Sequence, residues 1–275
     1  MTIAIPTLHL FAPLDEKLIA LLRSLSPDDW HKPTRAKQWT VKDIATHLLD
    51  GNLRTLSMLR DQYFGQPGPT DTTYKGMVRY LNDLNASWIN GVRRLSPAVL
   101  VELLEHSGRE YTAYLHTLDP FGPAVFSVDW AGTYPTPNWF HIARDYTEKW
   151  HHQQQIREAV NRYGIASREL YYPVLDTFLQ ALPHHYRGVT ASPGSTVKLH
   201  ITGLAGGEWY LVRKENGWQL TKEKMTPHTE ITLDDDAAWK LFTKGLALEE
   251  ARRLVSVTGD RALGEPIYSM VAVMA

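Results

Sequence analysis

The spacing of apolar and polar residues over roughly the first 160 positions predicts one helix after another. Five stretches carry apolar residues at helical intervals: Leu8–Leu25, Thr40–Tyr63, Thr73–Leu95, Pro97–Leu118 and Asn138–Glu158. Thr40, followed three residues later by Asp43, is typical of a helix N-cap. Segments rich in proline and glycine separate the helices, the longest being 119–137. The pattern predicts an up-down bundle of four or five helices.

After Gly164, a residue suited to the C′ position of the fifth helix, the pattern changes. One more helix, Ser167–His185, precedes short alternating runs that are typical of strands: Thr196–Ile201, Glu208–Arg213, Gly217–Leu220, Thr229–Leu233 and Leu254–Thr258. Asn216-Gly217 and the segment Gly203–Gly207 indicate hairpins. Asp234 to Asp236 opens a helix through Lys244, and a last helix starts near Asp260 and reaches about Val271. We therefore expect two domains: a helical bundle over residues 1–164, and a small α+β domain with an antiparallel sheet over residues 165–275.

The fifth predicted helix has two ordered faces. Because each helical residue turns by about 100°, five polar residues fall in one sector: His141, Asp145, Glu148, His152 and Gln155. The opposite surface is an apolar stripe made of Trp139, Ile142, Tyr146, Trp150 and Ile156. The stripe predicts packing against a core and leaves a titratable face whose role has to be decided.

Two interpretations of the titratable face remain open. It could be a solvated surface, on which Glu148 and His152 contribute a few tenths of a kcal/mol. It could instead bind a metal ion, since a carboxylate and an imidazole four residues apart can converge on one ion. A third ligand is available in His47, which lies at the edge of the apolar arc of the second helix, although a histidine in such a place is more often a boundary residue. His47, Glu148 and His152 would make an open, zinc-like site.

Composition excludes several classes of function. The formal net charge is -1 and no basic run occurs, which argues against nucleic acid or an anionic membrane as partner. No stretch of about 18 apolar residues occurs, so we expect a soluble, cytoplasmic protein. The absence of cysteine excludes disulfides, cysteine-zinc clusters and a cysteine nucleophile. The adjacent residues His151 and His152 should diverge on a helix and offer one ligand between them.

Two segments resemble a known family. WTVKDIATHLLDGN, which contains His47, resembles the second-helix motif of the DinB-like metal-binding bundles. RDYTEKWHHQQQIR resembles the R-x-x-x-E-x-W-x-H segment of the branch typified by mycothiol-dependent maleylpyruvate isomerase. The chain from about Ser167 onward resembles the smaller, sterol-carrier-like domain of that branch.

The resemblance implies that His47, Glu148 and His152 hold a divalent metal, zinc, and that a low-molecular-weight thiol such as mycothiol binds that metal and attacks a small electrophile. The chain would then be a thiol-dependent isomerase or S-transferase. Arg144 and Arg252 are our candidate catalytic residues. The resemblance does not separate Arg252 from its alternatives, Arg253 and Arg261, and Gln155 stands where many relatives carry an acid.

Two other functions stay open. One is a non-catalytic protein that binds a small ligand and uses the metal only to brace its helices. The other is a metal-dependent hydrolase that uses bound water. The sequence does not predict the substrate or the oligomeric state.

Overall fold

The computed structural model describes residues 2–273 and divides the chain into two compact units. The helical unit comprises Pro6–Val125 and Glu148–Ile165. The sheet unit comprises Phe126–Thr147, the chain from Ala166 onward and the first few residues. The boundary between residues 164 and 165 that the sequence indicates stays a prediction.

The helices of the first part of the chain lie where the apolar spacing predicts them. They are α1 (Phe11–Arg23), α2 (Val41–Thr55), α3 (Tyr74–Gly91), α4 (Pro97–Leu115) and α5 (Asn138–Ala159). A π-helical turn, Leu56–Arg60, prolongs α2. Thr40 and Asp43 form a complete capping box at the start of α2, which fixes where this helix begins.

The core of the helical unit is built from one apolar face of each of several helices. Buried residues of α1, α2, α4 and the second half of α5 form it, among them Leu22, Ile44, Leu48, Leu104 and Ile156. Trp88 of α3 packs against this cluster, and its indole Nε1 donates to the carbonyl oxygen of Thr46 at 2.9 Å. These contacts hold α2 and the second half of α5 in one packed unit.

Helix α5 is buried on nearly all sides, which excludes one of the two open interpretations of its polar face and corrects one expectation. Its polar residues His141, Asp145 and His152 are buried along with its apolar ones, so the titratable face is not a solvated surface. The helix ends at Ala159, so Gly164 is not, as the sequence had indicated, its C′ residue. Asn161 adopts a left-handed conformation (φ 55°) just after Ala159, so Asn161 and not Gly164 terminates the helix.

The sheet unit contains a five-stranded sheet. Its strands are β1 (Thr196–Thr202), β2 (Gly207–Lys214), β3 (Gly217–Thr221), β4 (Thr229–Asp234) and β5 (Ser256–Gly259), in the order β3-β2-β1-β4-β5. All neighbouring pairs are antiparallel except β1 and β4, which run parallel with Leu199 opposite Ile231. The predicted class, a helical bundle followed by a small α+β domain, is confirmed, and the sheet is antiparallel as predicted except where β1 pairs with β4.

The helices around this sheet differ in part from the prediction. The expected helix Ser167–His185 is two helices, α6 (Arg168–Leu179) and α7 (Leu182–His185). Helix α8 (Asp235–Phe242) is capped by Asp234 as expected, whereas α9 (Leu248–Leu254) has no counterpart in the sequence prediction. The last predicted helix is a short turn, α10 (Arg261–Gly264), followed by a 3-10 segment.

Within residues 2–273 no helix combines the length and the apolar composition that crossing a bilayer requires. The cellular location inferred from the sequence stays a prediction.

Candidate metal centre

Helices α2 and α5 bring three potential ligands together. His47, Glu148 and His152 each offer one ligand atom, and these atoms all lie within 4.8 Å of one another. Glu148 and His152 are one helical turn apart on α5, and His47 lies two turns into α2, whose start is fixed by the capping box. The structure thus brings together the three residues that the sequence singled out.

The distances within this group suit ligands better than an ion pair. His152 Nε2 lies 3.6 Å from Glu148 Oε2, which is too long for a hydrogen bond between them. The imidazoles of His47 and His152 are 4.7 Å apart between centroids and stand at 75° to each other. Zinc-to-ligand bonds of about 2.0–2.2 Å place tetrahedral ligand atoms roughly 3.3–3.6 Å apart. The 3.6 Å between His152 Nε2 and Glu148 Oε2 already lies within that range.

His47 carries the clearest sign that the donor set fits a metal ion. Its Nδ1 is buried and has no hydrogen-bond partner among the described residues. Burial lowers the pKa of His47 well below its ordinary value; His152 and Arg54 lower it further, while Glu148 opposes them. The imidazole is therefore neutral near pH 7, which is the form that coordinates metals.

A hydrogen bond orients His152. Its Nδ1 lies 2.9 Å from Gln155 Oε1. An amide oxygen only accepts, so in the neutral ring Nδ1 carries the proton and Nε2, the nitrogen facing Glu148, presents its lone pair. Metal-binding histidines commonly have their other ring nitrogen held in this way.

Two aromatic neighbours border the group. The indole of Trp39 lies 4.8 Å from the His47 ring and 6.1 Å from the His152 ring, between centroids. The ring of His151 lies 4.0 Å from that of His152, so the prediction that these neighbours diverge is wrong. His151 nevertheless offers no atom to the three-ligand group. Trp39 was not among the predicted site residues, although an aromatic residue directly before the N-cap of the helix that carries His47 is a usable signal.

Arg144 belongs to a second polar cluster, in the part of α5 assigned to the sheet unit. Its Nη2 lies 2.9 Å from His141 Nε2, and its Nη1 lies 3.3 Å from Asp145 Oδ1. Burial lowers the pKa of His141 to about 4, although Asp145 opposes this shift. His141 is thus a neutral acceptor for Arg144 at neutral pH.

Arg252, on α9 of the sheet unit, forms an ion pair with Glu265 and lies 4.9 Å from the centre of the Tyr268 ring. The catalytic roles assigned to Arg144 and Arg252 stay predictions.

Comparisons with known proteins show the family and the fold of this chain. Residues 11–157 match the family described as "Mycothiol maleylpyruvate isomerase N-terminal domain". Two crystal structures of mycothiol-dependent maleylpyruvate isomerase superpose on this chain. The TM-score is 0.52 for a histidine-to-alanine mutant and 0.50 for the other structure. Each superposition covers 91% of both chains at 11% sequence identity. At this identity the superposition shows the fold alone. A search of curated protein sequences finds no match.

Proposed function

From the premise that the chain belongs to the mycothiol maleylpyruvate isomerase N-terminal domain family, we propose that it is a metal-dependent enzyme in which a low-molecular-weight thiol acts on a small electrophile. The proposed reaction is an isomerisation or an S-transfer, with a mycothiol-like thiol as cosubstrate. Convergence of His47, Glu148 and His152 carries this proposal. Their convergence joins two helices that are far apart in the chain, and two nitrogens with one oxygen leave a position open for a further ligand.

Each residue of the group has a separate task in this proposal. His47, Glu148 and His152 would hold the ion, for which zinc is our candidate, and Gln155 keeps the lone pair of His152 Nε2 directed at it. Trp39 lies beside the two imidazoles and would limit the access of water from that side. When bound, the ion lowers the pKa of a thiol and so supplies a nucleophile near neutral pH. The chain has no cysteine, so that thiol has to come from solution.

Metal content tests the proposal directly. Protein purified without chelator and then loaded with zinc should hold one ion per chain by elemental analysis. His47→Ala, Glu148→Gln and His152→Ala should each lose most of it, because two ligands do not hold zinc against a competing chelator. His106→Ala removes an exposed histidine of α4 and serves as the matched control. Full zinc occupancy in His47→Ala or His152→Ala would end the proposal.

Cobalt substitution separates the thiol-dependent enzyme from the other two functions. A thiol that binds the ion should change the visible spectrum of the cobalt-loaded protein. An unchanged spectrum would point to a non-catalytic protein braced by metal, and activity on esters or amides without thiol would point to a hydrolase.

A further inference from the structure

His47 is the first member of a stripe along α2 that includes Gly51 and Arg54. These residues follow His47 by four and seven positions, so they lie within about 40° of it around the helix axis. With a rise of 1.5 Å per residue, His47 and Arg54 are about 10 Å apart along the helix. The stripe therefore runs from the candidate metal centre to a guanidinium group.

Gly51, in the middle of this stripe, has no packing reason to be glycine. Glycine destabilises a helix interior relative to alanine. A Cβ atom built on Gly51 would meet nothing within 4 Å, whereas one built on Gly108 of α4 would lie 2.8 Å from Asp15 Oδ2. A side chain at Gly108 would thus crowd the carboxylate of Asp15, whereas one at Gly51 would crowd nothing. At Gly51 the missing side chain leaves open space one turn from His47.

Arg54, at the far end of the stripe, is anchored by one edge only. Its Nε lies 3.0 Å from Oδ2 of Asp50, a carboxylate that is buried. About a third of the Arg54 side chain, 31%, is exposed. Among residues 2–273 its guanidinium makes no ion pair other than the one with Asp50. The remaining N–H groups are held in place and available to an acceptor, and the planar fork of arginine suits a carboxylate.

We propose that the small electrophile lies along this stripe, with Gly51 as its floor and with a carboxylate of the substrate bound by Arg54. Arg54 is then a specificity-determining residue: it selects substrates whose acidic group lies a few atoms from the carbon that reacts beside His47. This inference rests on the proposed function and adds the residues of this chain that would select the substrate.

Binding of succinate to the zinc-loaded protein tests the inference without any assay of turnover. Succinate is a four-carbon dicarboxylate, and its diamide, succinamide, is a neutral probe of the same shape. Measured by NMR titration, succinate should bind more tightly than succinamide. Arg54→Gln should weaken succinate tenfold or more and leave succinamide unchanged, because a charge-assisted bidentate contact is lost. Arg79→Gln, which changes an exposed arginine of α3, is the matched control and should bind succinate as the wild type does.

Gly51 gives a second, independent arm of the test. Gly51→Leu should block both probes while zinc content stays at one ion per chain, because leucine fills the stripe. Gly51→Ala should raise the melting temperature, because the added methyl group meets no atom and alanine favours the helix. Unchanged succinate affinity in Arg54→Gln, or in a folded and zinc-loaded Gly51→Leu, would overturn the inference and leave the metal centre standing. Failure of the wild type to hold zinc would instead overturn the proposed function, and this inference with it.

Discussion

Replacing Lys149 with methionine should destabilise the helical unit strongly. Lys149 Nζ lies 3.1 and 3.0 Å from the two carboxylate oxygens of Asp15, and 4.8 Å from the centre of the Tyr111 ring. The side chains of Lys149 and Asp15 are only 10% and 18% exposed. The pair joins α1 to α5 at the residue next to Glu148, so it also supports the candidate metal centre.

The magnitude follows from the charge that is left behind. Removing one partner of a buried ion pair destabilises a protein by about 3–5 kcal/mol, because the other charge stays buried and uncompensated. Since Asp15 keeps some access to water, we expect about 2–4 kcal/mol for Lys149→Met. At about 2–4 °C per kcal/mol for a domain of this size, the melting temperature should fall by roughly 5–15 °C.

Urea unfolding followed by circular dichroism measures this loss, and a double-mutant cycle assigns it. Asp15→Leu combined with Lys149→Met removes both charges and should recover much of the stability lost in Lys149→Met alone. A loss below about 1 kcal/mol in the single variant, or no recovery in the double variant, would refute the reasoning, because the pair would then behave like a solvated surface pair.

Three further predictions concern single side chains. The pKa of His141 in the folded protein, about 4, is below its ordinary value of 6.5, so the stability that the neutral ring contributes is complete above pH 6.5 and is lost as the pH falls toward 4. Between pH 7 and pH 5, urea unfolding should therefore show that a His141→Gln variant loses about 2 kcal/mol less stability than the wild type. Equal losses in the two proteins would contradict this. Gln155→Leu should weaken zinc binding by about 10- to 100-fold in a chelator competition and shift the tautomer of His152 seen by ¹⁵N NMR of the metal-free protein. Gln155→Glu, which keeps an acceptor, should retain the wild-type affinity and tautomer. An unchanged affinity and tautomer in Gln155→Leu would show that the bond does not orient the ring. Thr40→Ala should lower the free energy of unfolding by about 1 kcal/mol through loss of the capping box with Asp43, and a change within error would contradict that role.

The five helices of the first part of the chain were predictable because their signals are local. Leucines at helical spacing, Thr40 with Asp43, and Ser96 before Pro97 each act within one or two turns. Helix α9 was missed because Leu248–Leu254 spans only seven residues and begins after Ala247, which supplies no side-chain cap. The end of α5 was misplaced because Asn161 and Gly164 both tolerate positive φ, and the sequence does not tell which of them terminates the helix.

Features that depend on distant parts of the chain were not predictable in the same way. Alternation along β1 and β4 indicates strands, but it does not tell that these two pair in parallel. The polar residues of α5 have the spacing of a surface stripe, and only the tertiary packing buries them. The residues of the candidate metal centre could be named because histidine is uncommon, 12 of 275 residues, and because a carboxylate and an imidazole four residues apart share one helix face. Arg54, in contrast, gains its proposed meaning only from the open space beside Gly51.

Glu148 and His152 follow His47 in the chain by about a hundred residues, so the candidate metal centre is a long-range contact. During synthesis the ribosome must therefore release α5 before an ion can find all its ligands, and a nascent chain that stops after α4 has none of the α5 donors. An ion bound at the candidate centre could therefore stabilise only the completed bundle, and a cellular metal donor would meet this protein after translation has passed the fifth helix.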